Sequence, residues 1–522
     1  MNLFLSGGQT IAKAGVGFFN PWRWNWIYLR TVGTIRRQSI EASIWSYLGI
    51  ALGYVNIILL FPNIFSPDQF GLTRVLIAAA SVAANFSLFG TPNIIGKFFP
   101  HYSGTVNFRR FLFFCIAVPT ILFFIISAGL WFGRGWVLTF YENDSLLFPQ
   151  YYFLIFPATL ALIYLTIYES FLRSNMNVSL PLFVKEVLQR LLTALLIGFY
   201  FWKWIGFDVF IYSFVGTYFL CTIVMMIYAA GRHKIIYEWK LRFHSSISEL
   251  REVFTFGAYA LLGNASSMLV NNIDVLMVSM LAGLKQTAIY SVAFLVGTLI
   301  QVPYKAMSQI AMPVMSEAWK ANDLETIRKL YQRSSANISV IGLLLFLLVW
   351  VNIDNLFHFL PEIYRQGKWV IVIVGAAKFI DGITGVNNEL ISFSKFYRFN
   401  FLVILLLVVV TILLNWILIP LYGLPGAAVS TAVAIFIFNA AKYFFILWKF
   451  KMQPFDWKTL AVLLAGLFAG GIVYLLPVNG NFILDGFMRS SCILILFLLP
   501  VYFFKLAPDM NAFIKMVLNK MK

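Results

Sequence analysis

The stretch MLVNNIDVLMVSM, residues 268–280, sets two asparagines and a carboxylate inside a run that otherwise belongs in hydrocarbon. Apolar sequence continues on both sides, from TFGAYALLG (255–263) to LAG (281–283). An ionised carboxylate is costly away from water, so the meaning of Asp274 depends on the medium around it. The composition identifies that medium. Of 522 residues 61% are hydrophobic and only 11% charged, with a mean hydropathy of +0.82. A soluble chain of this length cannot hide so much apolar surface. The fold class is an all-α, polytopic membrane protein.

About 20 apolar residues cross a bilayer as a helix. That rule predicts fourteen spans near 40–61, 71–97, 111–131, 150–171, 182–202, 208–230, 253–281, 287–312, 336–357, 369–393, 400–421, 425–448, 459–476 and 488–506. With both termini cytoplasmic, and with Lys97, Arg489 and Lys505 at span edges counted with the adjoining segments, 27 of the 39 Lys and Arg fall in cytoplasmic segments and six, Arg489 among them, in outer ones. This is the positive-inside pattern, so the net charge of +18 reads as topology and attraction to anionic lipid, with no nucleic-acid partner. The first twenty residues lack a basic region followed by an apolar core, so no signal peptide is expected. Residues 18–29, FFNPWRWNWIYL, read as an aromatic segment lying in the membrane interface.

A weak repeat joins GLTRVLIAAASVAANF from Gly71 to GLKQTAIYSVAFLVGT from Gly283, each opening the second span of a six-span block. An even number of spans makes such a repeat parallel, with two six-helix lobes related by an axis along the membrane normal. The expected organisation is an N-terminal segment (1–38), an N-lobe (39–231), a basic linker (232–252), a C-lobe (253–450) and a C-terminal part with two more spans (451–522). In the linker, Ser246 to Glu249 has capping-box spacing.

Several chemistries are excluded or disfavoured. Cys115, Cys221 and Cys492 lie in apolar runs without metal-ligand spacing, and the four histidines sit in or beside connecting segments. The outer loops are short, which disfavours a glycosyltransferase or polymerase active site. No metal, cofactor or catalytic residue is expected, and the chain is not read as an enzyme.

Three helices carry polar stripes. Asn264, Ser267, Asn271 and Asp274 lie within roughly an 80° arc of one face. Thr298, Gln301, Lys305 and Ser308 repeat the spacing, as do Lys378, Asp381, Gly385, Asn388 and Ser392. Small polar residues glue helices together in lipid, but a mid-membrane charge costs at least ~2.5–3.5 kcal/mol and marks a cavity or a partner. Asp274 is therefore expected to face a hydrated cavity between the lobes. Lys378 and Asp381, three apart, form an alternative pair. Arg74 and Lys442 are read as snorkelling to helix ends, and Glu186 with Arg190 as either an ion pair or a lumen element. Within the spans cations outnumber carboxylates, which suits an anionic substrate. The candidate substrate-cavity residues are Lys305, Lys378, Arg190, Asn271, Gln301 and Asn388; those for ion coupling are Asp274 and Asp381.

The carboxylate late in span seven, followed by LMVSMLAGLKQTAIYSVAFLVGTLIQVPYKAMSQIAMPVMSE, resembles the corresponding stretch of polysaccharide and lipopolysaccharide repeat-unit (Wzx-type) flippases. LIPLYGLPGAAVSTAVA (418–434) resembles another part of the same group. That superfamily also holds multidrug extruders and lipid II flippases. The resemblance implies two lobes around a central cavity, with the last two spans as an addition. It implies alternating access, moving a polyprenyl-diphosphate-linked oligosaccharide across a bacterial inner membrane, with H+ or Na+ coupling in some members. Membrane lipids and polysaccharide assembly proteins are the implied partners, and Asp274 takes the family's acidic position. The extruder branch often keeps a carboxylate inside span one, where this chain has only Glu41 at the edge. A drug or metabolite exporter on the same fold stays the alternative.

Overall fold

A computed structural model describes residues 38, 40–102, 108–141, 147–233, 247–477 and 480–506. The aromatic segment 18–29, most of the basic linker with Ser246 of its expected capping box, and the C-terminal tail lie outside the described residues. Among the described residues the secondary structure is helical, and the chain is a multi-pass membrane protein: eleven helical stretches are long and apolar enough to cross a bilayer.

The principal helices are α1 (Ile40–Ile64), α2 (Pro67–Tyr102), α3 (Phe108–Phe132), α4 (Leu147–Ser174), α5 (179–201) and α6 (Phe207–His233). Next come α7 (247–282) and α8 (284–320), separated at Gly283, whose φ of 89° breaks a run that is otherwise continuous. Glycine adopts that conformation without a Cβ clash. They are followed by α9 (Leu324–Val351), α10 (368–392), α11 (Tyr397–Tyr422), α12 (Leu424–Phe450), α13 (Trp457–Tyr474) and α14 (Phe482–Phe503). Helix α5 carries Lys185, Glu186 and Arg190, and α10 is interrupted between Ile383 and Asn387, so neither reads as an uninterrupted apolar span.

Helix ends follow local chemistry. Ser66 Oγ accepts from the Gln69 amide while the Gln69 side chain accepts from the Ser66 amide, with Pro67 at the first helical position of α2. Asp456 and Asn481 cap α13 and α14. Two helices contain π-helical segments, Val55–Leu60 in α1 and Phe183–Leu188 in α5. These helices pack tightly because α1 offers Gly49 and Gly53, one turn apart: a Cβ on Gly49 would lie 2.6 Å from Glu186 Cβ, and one on Gly53 2.7 Å from Arg190 Nη1.

Polarity is arranged as a membrane demands. On α11, Leu402, Val409, Leu413 and Trp416 are exposed toward lipid, while Asn400, Thr411 and Asn415 are buried. The openings of the sequence repeat meet in space: a Cβ on Gly71 of α2 would run into the Leu284 carbonyl at the start of α8.

Candidate functional site

A cavity of about 610 Å³ lies between α1, α2, α5 and α6 on one side and α8 on the other. Among the described residues its basic lining residues are Arg74 of α2, Arg190 of α5 and Lys305 of α8, and no carboxylate lines it. Around them stand Tyr54, Asn56, Gln189, Thr193, Tyr218 and Thr298, a mixed polar and aromatic wall. Ser43 and Tyr47, near the start of α1, and Gln309, late in α8, line one end. At the opposite end the two sides are joined. Asn63 Nδ2 donates to the Phe359 carbonyl at 3.1 Å, Tyr141 and Ser279 hydroxyls lie 2.7 Å apart, and Gly71 abuts Leu284.

Each cation is held differently. Arg190 Nη2 pairs with Glu186 Oε2 at 2.7 Å and Nη1 donates to the Gly49 carbonyl, so the ion pair expected within α5 forms and its guanidinium still lines the cavity. Arg74 does not snorkel. It turns into the cavity near Tyr218, and its Nε has no hydrogen-bond partner among the described residues. The reason is position: α2 packs against α4 and the run that forms α7 and α8, and Arg74 stands on the face of α2 that lines the cavity. Lys305 is exposed to the cavity.

The second polar centre lies among α7, α8, α10, α11 and α12. Asp274 is buried rather than facing water, in contrast to the expectation of a cavity-facing stripe. Asn415 Nδ2 of α11 donates to its Oδ1 at 2.8 Å; Thr431 Oγ1 of α12, at 2.8 Å, and the Tyr290 hydroxyl of α8, at 3.2 Å, donate to Oδ2. Three converging donors replace the water a buried carboxylate has lost. Asp381 is held likewise, by Gln301 Nε2 at 2.7 Å and Asn439 Nδ2 at 2.8 Å, so Lys378 and Asp381 do not form the pair their spacing allowed. Lys378 instead stands 5.8 Å from the Phe294 ring centroid.

Lys442 also departs from expectation. It is fully buried rather than snorkelling, with Nζ donating to Asn388 Oδ1 at 2.9 Å and lying 3.6 Å from the Phe438 ring centroid. The interrupted middle of α10 carries its partner, and Asp381 and Glu389 share its electrostatic field. Glu389 was not a sequence candidate; it is buried, bonded to Ser308, with Oε2 unpartnered among the described residues. Of the expected substrate residues, Lys305 and Arg190 meet at the cavity. Gln301 and Asn388 belong to the polar network, and neither Lys378 nor Asn271 is among the lining residues. Of the partners of Asp274, Asn415 had a readable signal: with Thr411, four residues before it, it interrupts the otherwise apolar run 401–421 of α11.

The family model for polysaccharide biosynthesis proteins matches residues 38–319, more than half of the chain. The chain belongs to this family. A second model, MatE, matches residues 260–417. The fold is similar to that of the lipid II flippase MurJ in an inward closed conformation, at TM-score 0.68 and 14% identity, covering 90% of this chain and 98% of that one. It is also similar to an inward-facing multidrug resistance transporter of the MATE family, at TM-score 0.60 and 12% identity, covering 77% and 93%. An uncharacterized membrane protein of Methanocaldococcus jannaschii is 24% identical over 289 residues, which are 52% of this chain. The chain spans about half the length of that curated relative, 51%.

Proposed function

We propose that this member of the polysaccharide biosynthesis family moves a polyprenyl-diphosphate-linked oligosaccharide from the cytoplasmic to the outer leaflet of a bacterial inner membrane by alternating access. The observation that carries the reading is the cavity: three cations and no carboxylate among its described lining residues, contributed from both sides of the interface. A diphosphate satisfies guanidinium and ammonium donors in a setting where water is scarce. The volume of about 610 Å³ is that of a small-ligand pocket, fit for the diphosphate and the first sugars rather than a long polymer. A cationic drug in the same place would meet like charge, which favours the flippase over the exporter reading.

In this reading α1 to α14 are fourteen spans, with α5 and the interrupted α10 included, both termini cytoplasmic, α1 to α6 and α7 to α12 as lobes, and α13 and α14 appended. The joined end around Asn63, Tyr141 and Gly71 is then the outer one, and the cavity opens inward. Asp274 is the site of H+ or Na+ coupling, with the half-buried Asp381 as a second carboxylate of the same lobe. The test is flipping of a fluorescent polyprenyl-diphosphate oligosaccharide in proteoliposomes. Arg74→Gln and Lys305→Gln are each expected to slow it about ten-fold or more, in line with about 1.5–3 kcal/mol for a charge-assisted hydrogen bond. Parent rates in the double variant would remove the cavity from the mechanism.

A further inference from the structure

A second hollow, of about 770 Å³, lies where the ends of α8 and α12 meet the turn between α10 and α11. Lys320, Lys395 and Lys449 line it over a floor of Trp319, Phe396 and Phe450, and no carboxylate among the described residues lines it. The floor is fixed. Trp319 Nε1 donates to the Leu390 carbonyl at 3.1 Å and packs edge-on to Phe450, which packs edge-on to Phe396. Lys395 and Lys449 stand 5.3 and 5.7 Å from the centroid of the same Phe396 ring, and none of the three lysines has an ion pair among the described residues. Ring faces attract the Lys395 and Lys449 ammonium groups, the latter also 3.7 Å from the Trp448 ring centroid, but leave the mutual repulsion uncompensated. Such a cluster is completed by an anion of more than one charge.

The surroundings indicate the source of that anion. Trp448, 70% exposed, and Phe444, 64% exposed, lie one turn apart on the outer face of α12 and run from the lysines into the membrane. A soluble anion has no use for such a track; acyl chains do. Basic pockets between helix ends on the cytoplasmic side suit phospholipid headgroups. We infer that this hollow is a binding site for an anionic phospholipid whose headgroup carries two phosphates, held by Lys320, Lys395 and Lys449 with its chains along Phe444 and Trp448. The inference rests on the membrane placement given under the proposed function but not on the cargo, because the site is apart from the central cavity.

The experiment titrates the detergent-solubilised full chain with cardiolipin, phosphatidylglycerol, phosphatidylcholine and inorganic pyrophosphate, reading occupancy by native mass spectrometry. No transport substrate is present, so failure of the flippase reading leaves the result unaffected. Cardiolipin should bind best and pyrophosphate weakly. Each lysine contributes about five-fold, so Lys395→Gln/Lys449→Gln should weaken cardiolipin about 25-fold and the triple Gln variant about 125-fold. The triple Lys→Arg variant should retain binding. Unchanged cardiolipin affinity in the double Gln variant, melting at the parent temperature, would overturn the site; pyrophosphate binding as tightly as cardiolipin would make it a soluble-anion site and overturn the lipid assignment.

Discussion

Replacing Asp274 by Asn and by Ala separates the charge of this carboxylate from the space it fills. Both oxygens are engaged, Oδ1 by Asn415 Nδ2 and Oδ2 by Thr431 Oγ1 and Tyr290 OH. Ala strands three buried donors at about 1–3 kcal/mol each, so Asp274→Ala is expected to lose several kcal/mol and melt far below the parent. Asn can keep every bond. Its oxygen takes the position facing Thr431 and Tyr290, and its amide nitrogen then faces Asn415. That neighbour has a buried Oδ1 with no partner among the described residues, and a flip of the Asn415 amide presents it as an acceptor. The remaining loss is the difference between charge-assisted and neutral bonds, offset by removal of a buried charge. Asp274→Asn should therefore stay within about 1–2 kcal/mol of the parent. With the fold retained, transport reports on titration or ion binding alone. Flipping should proceed in proteoliposomes without a gradient and lose its response to imposed H+ and Na+ gradients. An Asn variant that melts as low as the Ala variant would refute the donor cradle; one that responds to the gradients as the parent does would refute coupling at Asp274.

Lys442→Met should lower the melting temperature, because Asn388 loses its buried donor and Asp381 and Glu389 lose the cation whose field they share, and adding Glu389→Gln should recover part of the loss. Parent-like melting of the single variant would show that the ammonium does not stabilise the lobe. Gly49→Ala should destabilise by about 1–3 kcal/mol through collision with Glu186, whose carbonyl a Cβ would approach to 2.8 Å, whereas Gly96→Ala, with nothing within 4 Å, should be neutral or stabilising by calorimetry. Arg489, counted with the outer segments in sequence, is buried in α14. There it pairs with Asp485 at 2.7 Å and donates to the Val473 and Leu476 carbonyls at the end of α13. Arg489→Met should lower the melting temperature and Arg489→Lys should fail to restore it, because an ammonium cannot span carboxylate and both carbonyls.

Helix positions were legible because an apolar run is a property of one segment, and the length of a bilayer-crossing helix is set by the solvent. The pairing of Gly71 with Leu284 was half legible: the repeat marked both places, but only packing shows that they touch. Stripe periodicity tells which residues share a face and not what that face meets. Asp274 lay on such a stripe, and its face meets Asn415 and Thr431 rather than water. Snorkelling was misjudged for a related reason. Distance from a helix end is a one-dimensional measure, whereas Lys442 is enclosed because α10 supplies Asn388 beside it.

The sign of the cationic excess was readable, but its distribution depends on tertiary structure. Arg74 and Arg190 stand on the N-terminal side of the cavity and Lys305 on the other. Under the proposed cycle this division matters more than the number of charges. Coulomb energy falls inversely with distance, so doubling the separation of Lys305 from a bound diphosphate halves its attraction at constant dielectric. Water entering the opened cavity raises the dielectric and weakens it further. If all three cations lay on one lobe, the anion would be carried through the switch with its affinity unchanged. With the set divided, rocking the lobes apart on the outer side loosens the grip there, and closing them restores it. Release on one face and capture on the other then follow from geometry, without any change in the protonation of the three cations.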